Sequence, residues 1–420
     1  MPSRVLRRRA ATAFGIYGSA VVGFLATVVA ARELSVPDFA RFAIIFATTS
    51  MLQLFVDLTI DEVVVKYGNR YAAREDWGRF RRLFEIGLAV KMAGGAAGTL
   101  AIAGAAFLAP HIWTNVPGLR NAMLIAALIP LIQQPEGMAG AVLLLRNRYD
   151  LRGALLFWSM LLRLVGIAIG AQYGLLWVFT AIVVAQVVST VTVCAVAYAA
   201  YRRYPRVARA PLAEDAREIR NFAIQSTIAS GLTSLRTSLP TLLVGVVAAQ
   251  RQVGYFRVAQ APSTAFASLS APARLVLLAE QTRDIEFGRK DRAFALLRRY
   301  IVATTILGVV ITPILWLVMP TLIRWVYKPK YVPAANAFRV MLLAAVVQLV
   351  FAWTKSFPVS IGRAGLRTVG QLCESVVLVP AVLLLASRYG AAGAAGGVLA
   401  GALTLAAFWS VALLRMRSDA

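Results

Sequence analysis

The sequence predicts an all-α, multi-pass membrane fold. About twelve transmembrane helices are expected in two pseudo-symmetric six-helix lobes around a central cavity, with both termini cytoplasmic. Three observations carry that expectation. The 420 residues are 59% hydrophobic and 15% charged, with a mean hydropathy of +0.70, whereas a soluble chain sits near ~45–50% apolar and ~25% charged. The basic residues gather in alternate connections between apolar blocks, as the positive-inside rule requires. The two halves also register with each other at one common offset. Disorder is excluded by the same composition, because disordered segments are poor in apolar residues. At roughly 20–22 residues per span, twelve spans take about 260 residues and leave too few for a large extramembrane domain.

The apolar run Ala10–Ala31 comes after the basic MPSRVLRRR and is longer than the roughly 7–15 residues of a signal-peptide core, so it is read as the first transmembrane helix. Five more are expected at 39–57, 84–109, 119–145, 153–172 and 175–200. The stretch YRRYPRVARAPLAEDAREIR is the longest polar segment between the halves. It divides the chain into an N-terminal lobe, 1–215, which ends in this basic cytoplasmic linker, and a C-terminal lobe, 216–420. The second lobe is expected to hold helices at 221–248, 254–280, 299–320, 334–358, 367–387 and 391–414. Blocks such as AIVVAQVVSTVTVCAVAYAA are apolar on every face, as lipid-embedded helices are.

Lys and Arg number 44 against 19 Asp and Glu, a formal charge of +25. Clusters such as Arg79, Arg81 and Arg82, or Arg202, Arg203, Arg206 and Arg209, fall in even-numbered connections. The odd-numbered ones hold Arg32, Arg251, Arg324, Lys328, Lys330 and Arg388. That asymmetry places both termini in the cytoplasm and makes nucleic acid the weaker explanation of the charge. Trp113, Trp177, Trp316 and Trp325 then fall near the outer surface as an aromatic belt. The internal repeat pairs FARFA (39–43) with YFRVA (255–259), Val116-Pro117 with Val332-Pro333, and Tyr173-Gly174 with Tyr389-Gly390. Parallel halves of this kind are a recurring transporter architecture with the substrate site between them.

Charged residues inside apolar blocks are the candidates for function, because each costs about 2.5–3.5 kcal/mol at mid-bilayer. Arg163 lies near the middle of the fifth helix and Arg236 near the middle of the seventh; Arg257 and Arg274 sit in the eighth, and Arg41 begins the second. Lys91 and Lys355 lie just inside the cytoplasmic ends of the third and tenth helices. Together these seven suit an anionic group such as a diphosphate, since arginine offers phosphate a planar bidentate fork. The bland alternatives are structural ion pairs for Arg163 and Arg236 and snorkelling for the other five. Glu136 and Glu374 are candidates for ion coupling or charge pairing, and Glu374 and Arg163 occupy repeat-related helices. Asp57, Asp61 and Glu62 read as an interfacial cap or loop pairing. The glutamines inside the spans read as interhelical hydrogen bonds.

No catalytic residues, metal site or cofactor are expected. Two cysteines and one histidine cannot supply a disulfide framework, a zinc site or a haem. The motifs HExxH, GxSxG and GxxxxGK[ST] are absent from the sequence.

Several segments resemble the polysaccharide or O-antigen flippases of the multidrug/oligosaccharidyl-lipid/polysaccharide superfamily. They are DLTIDEVVVKYGNRYAARED, VGYFRVAQAPSTAF, YKPKYVPAANAFRVMLLA and the ending RYGAAGAAGGVLAGAL. Such proteins often carry glycine after the acid of the second helix, where this chain has Asp57-Leu58-Thr59. The resemblance implies alternating access of two six-helix lobes and a cationic cavity. It implies a head group of undecaprenyl-diphosphate-linked oligosaccharide as substrate, Arg163 and Arg236 as diphosphate ligands, and residence in the cell inner membrane. Membrane lipids and other polysaccharide-assembly membrane proteins are the expected partners; nucleic acid is not. The alternatives are a cation-coupled multidrug exporter of the same superfamily, which should place carboxylates at mid-membrane, and a membrane glycosyltransferase or polysaccharide polymerase, which would be an enzyme with a large outer loop. A carrier is the expectation.

Overall fold

The computed structural model describes residues 2–56, 59–205, 207–212, 215–287, 289–360 and 364–418. Among them there are helices and no strand. Asp57, Leu58, Arg206 and Arg363 lie outside the described residues. Two compact units divide the chain, Met1–Leu239 and Pro240–Ala420. The first holds α1 (Pro2–Glu33), α2 (Val36–Val56), α3 (Ile60–Ala73), α4 (Trp77–Ile112), α5 (Arg120–Ala126), α6 (Leu128–Leu145), α7 (Tyr149–Gly170) and α8 (Leu175–Tyr201). The boundary falls within α9 (Ala216–Val247), at Leu239–Pro240. Then come α10 (Gln250–Ala259), α11 (Ala261–Glu286), α12 (Lys290–Tyr327), α13 (Ala335–Val350), the short α14 (Phe357–Ser360) and α15 (Ala364–Ser418).

Each of the twelve expected segments coincides with helix over its described residues, some as broken pairs. Among the described residues, eight helical stretches are long and apolar enough to cross a membrane. The last of these, Gly365–Arg415, has 51 residues, about 75 Å as a single rod against a hydrocarbon core of about 30 Å. It is not one rod. At Gly390 the backbone turns to φ 58°, ψ −133° and the chain doubles back, so that a Cβ on Gly401 would stand 2.9 Å from the Leu378 Cβ. Gly174, before α8, also has positive φ, at 104°. These two glycines are the pair that the repeat aligns, and each makes a turn that a side chain would strain. The chain is a multi-pass membrane protein.

The structure adds one element that hydropathy missed. Hydropathy ends the second helix near residue 57 and leaves the residues after it as loop; instead 60–73 is the amphipathic helix α3. Ile60, Val63, Val64, Tyr67 and Tyr71 recur at helical spacing and are buried against Phe80, Leu83 and Met138. The start of α9 packs on the same stripe, with Phe222 edge-on to Tyr67. Tyr71 donates to Asp215 at 2.7 Å, while Arg70 grips Glu218 with two bonds of 3.0 and 3.1 Å. The bonds from Arg70 and Tyr67 hold the Glu218 carboxyl below the ordinary glutamate range. The polar linker is thereby tied to the first unit. Of the tryptophans expected in an outer belt, Trp177 and Trp325 are exposed, but Trp113 is buried where it caps α4.

Thr59 precedes α3 with φ 36°, a left-handed conformation that is an outlier for a β-branched residue. The position belongs to the turn where the resembling family often has glycine. Relief of strain worth about 1–3 kcal/mol should outweigh the roughly 0.5–1 kcal/mol entropic cost of glycine. Thr59→Gly is therefore expected to stabilise by ~1 kcal/mol, seen as a raised thermal midpoint. A lowered midpoint would mean that the 3.3 Å contact between the Thr59 and Thr227 hydroxyls matters more than the backbone.

Candidate functional site

A seam of polar side chains runs through the first unit among α2, α4, α6, α7 and α8. Glu136 sits halfway along α6, one residue after Pro135. Its Oε1 accepts from Gln186 Nε2 at 2.8 Å, Ser189 Oγ at 2.8 Å and Thr190 Oγ1 at 3.0 Å. All three donors are on α8, at i, i+3 and i+4, the spacing that puts them on one helix face. Their hydroxyls and amide replace the water that a carboxyl group needs inside a membrane. Glu136 has no ion pair among the described residues.

Arg163 on α7 points at the same cluster from the other side. Its Nη2 lies 3.5 Å from Gln186 Oε1, at the limit of a hydrogen bond, and its guanidinium stands 5.8 Å from the centre of the Phe46 ring. No carboxylate pairs with it among the described residues. The Gln186 amide thus joins Glu136 to Arg163, donating to one and accepting from the other. Arg163 borders a cavity of about 100 Å³ together with Thr49, Ser50, Gln53 and Gln133. Gln53 Nε2 bonds Gln133 Oε1 at 3.0 Å, and the same two glutamines border a second cavity of about 190 Å³.

That second cavity has Lys91, Asp61, Arg152 and Glu136 in its wall. Lys91 is only 3% exposed and pairs with Asp61 at 3.2 Å. Gly137 makes room for it: a Cβ there would stand 3.2 Å from the Lys91 ammonium. Two cations and two anions line this cavity, so it is balanced, whereas the wall of the smaller cavity has Arg163 and no acid.

The other sequence candidates are placed elsewhere. Arg41 is committed to the end of its own helix, donating to Asp38 at 2.8 Å and to the Pro117 carbonyl at 2.8 Å. Arg257, on α10 in the second unit, donates to Gln260 Oε1 at 2.9 Å, which also accepts from Thr241 at 3.3 Å. Lys355 ends a 3-10 turn, Ala352–Lys355. Glu374 on α15 is fully buried. The side chains of Arg236 and Arg274 lie outside the described residues. So the structure brings Arg163, Glu136 and Lys91 to one polar seam and leaves Arg41 in a helix cap.

Sequence reasoning missed Ser189, Thr190, Arg152 and the pairing of Asp61 with a buried lysine. The first two had a signal: Gln186, Ser189 and Thr190 are three polar residues on one face of an otherwise apolar block. Asp61 had none, because it reads as loop until α3 is recognised.

A family profile described as "Polysaccharide biosynthesis protein" matches residues 5–278, more than half of the chain. No curated protein matches the chain in sequence. Among solved structures, an inward-facing multidrug resistance MATE family transporter of the MOP superfamily superposes with a TM-score of 0.79 at 12% identity, over 95% of both chains. The lipid II flippase MurJ, in an inward closed conformation, gives 0.70 at 13% identity, over 95% of this chain and 87% of its own. A MOP superfamily transporter from Pyrococcus furiosus, described as having a binding pocket of reverse polarity, gives 0.64 at 13% identity, over 99% and 95%. At these identities the likeness is one of fold.

Proposed function

Because this chain belongs to the polysaccharide biosynthesis protein family, we propose that it is a carrier rather than an enzyme. Its cargo is an undecaprenyl-diphosphate-linked oligosaccharide, flipped from the cytoplasmic to the outer leaflet of the cell inner membrane by alternating access, for O-antigen, capsule or exopolysaccharide assembly. The observation that carries the reading is Arg163: a guanidinium midway through a membrane helix, bordering a polar cavity and forming no ion pair with a carboxylate among the described residues. A cation in that setting is expensive, and a diphosphate supplies the anion that would offset that cost in bidentate geometry. The sugar would ride with the head group among hydroxyl and amide side chains such as Thr49, Ser50 and Gln53, while the polyprenyl tail stays in lipid.

Glu136 fits a second role in the same cycle. It borders a cavity, lacks an ion pair among the described residues and is held at one oxygen by neutral donors, which suits a carboxyl that takes up and releases a proton or sodium ion.

Head-group binding tests the reading. Purified protein is expected to hold a polyprenyl-diphosphate oligosaccharide at least ~10-fold more tightly than the matching monophosphate, the scale of one charge-assisted hydrogen-bond pair. Equal affinity for the two would remove the diphosphate from the proposal.

A further inference from the structure

The back of α6 faces an apolar trough. α4 and α8 each pack along α6, and the space between them encloses about 830 Å³, within the roughly 300–1,000 Å³ of sites that take a drug-sized ligand. Phe84 and Leu88 of α4, Met138 and Val142 of α6, and Cys194 and Tyr198 of α8 line it. Leu88 and Tyr198 are exposed, at 37% and 61%, so the trough opens sideways where lipid would lie. Aromatic pairs close it at one end, Phe84 on Tyr201 and Phe80 on Tyr204, each with ring centres 4.7 Å apart.

That closed end carries positive charge. Arg81 and Arg202 stand on the rim with Glu85. Glu85 is already engaged: Arg81 Nε reaches its Oε1 at 3.0 Å and Arg209 Nε its Oε2 at 2.7 Å. Arg81 also donates to the Val207 carbonyl at 3.1 Å. Arg202 has its guanidinium 5.9 Å from the centre of the Tyr198 ring and no carboxylate partner among the described residues. A slot that is apolar along its length and cationic at one end matches an acyl chain joined to a phosphate. The positive-inside rule puts this end at the cytoplasmic leaflet, where basic pockets between helices hold anionic head groups.

We propose that the trough between α4 and α8 is a binding site for an anionic phospholipid. One acyl chain lies on α6, and Arg202 holds the phosphate. The tail of the transported lipid is the poorer occupant. Glu136, Gly137 and Gly140 face the polar cavity while Pro135, Met138, Ala139 and Val142 face the trough, so the body of α6 would separate such a tail from a head group in that cavity. The site does not depend on what the carrier moves.

The experiment is native mass spectrometry of the full chain in detergent, titrated with phosphatidylglycerol and phosphatidylcholine of identical acyl chains. Wild type is expected to retain phosphatidylglycerol preferentially. Arg202→Gln, at an exposed position, should cut that preference ~5-fold, and Cys194→Trp, which fills the slot, should lose the retained lipid. Arg388→Gln, an exposed arginine outside the trough, should match wild type. Added undecaprenyl monophosphate should fail to displace phosphatidylglycerol. Equal retention of the two phospholipids, an unchanged preference in Arg202→Gln, or displacement by the polyprenyl phosphate would each overturn the proposal. If Cys194→Trp does not fold, the Arg202 and Arg388 variants decide the matter between them.

Discussion

Replacing Arg163 by alanine is expected to slow leaflet-to-leaflet movement of the lipid-linked oligosaccharide by ~10- to 100-fold, the worth of one charge-assisted contact of about 1.5–3 kcal/mol. The fold should survive. Arg163 has no ion pair to break among the described residues; it makes a 3.5 Å contact with Gln186, stands beside Phe46 and feels the Glu136 charge across the Gln186 amide. Removing it also removes a charge that is costly at that depth, so the thermal midpoint should stay level or rise. A structural arginine would behave in the opposite way, because breaking a buried pair costs about 3–5 kcal/mol. Arg163→Lys separates charge from shape: the ammonium keeps the positive charge but lacks the planar fork, so transport should fall between wild type and alanine. Transport checks the rate and thermal unfolding checks the fold. A large drop in midpoint with Arg163→Ala would return this residue to architecture.

Glu136→Gln is expected to uncouple the carrier from an imposed proton or sodium gradient while leaving it folded. The glutamine carbonyl can still accept from Gln186, Ser189 and Thr190, so the three α8 donors keep their acceptor. What disappears is the group that can gain and lose a cation. Glu136→Leu removes the acceptor as well, and each donor left buried without one costs about 1–3 kcal/mol. That variant should therefore lose thermal stability as well as transport. The comparison is made in proteoliposomes with and without a gradient across the membrane. A Glu136→Gln chain that keeps the wild-type gradient response would make Glu136 a polar clamp between α6 and α8.

The architecture was legible because the bilayer imposes it. Apolar runs such as Leu175–Tyr201 have no other stable home, and the aligned Tyr-Gly pairs 173–174 and 389–390 mark turns whose glycines have positive φ. α3 was not legible by hydropathy, since Asp61, Glu62, Lys66 and Arg70 lower the average while the buried stripe from Ile60 to Tyr71 keeps helical period. A search for periodicity finds it.

The site was half legible. Arg163, Glu136 and Lys91 stand out as charges in apolar blocks, and the cost of burying them marks them for attention. Their pairing does not stand out. Gln186, Ser189 and Thr190 mark one polar face on α8, but nothing in the sequence says that this face meets α6, and the convergence of the three on Glu136 comes only from packing. Arg41 shows the converse: it looked like a cavity cation, yet Asp38 three residues earlier and the Pro117 carbonyl already satisfy it.

The most direct measurement is reconstitution of the wild-type chain in liposomes with a polyprenyl-diphosphate oligosaccharide in one leaflet and a cationic dye in the lumen. A flippase of lipid-linked sugars should give protein-dependent movement of the sugar lipid to the other leaflet and no export of the dye. Dye export without movement of the sugar lipid, under a proton or sodium gradient, would contradict that function and make the chain a drug exporter built on the same fold.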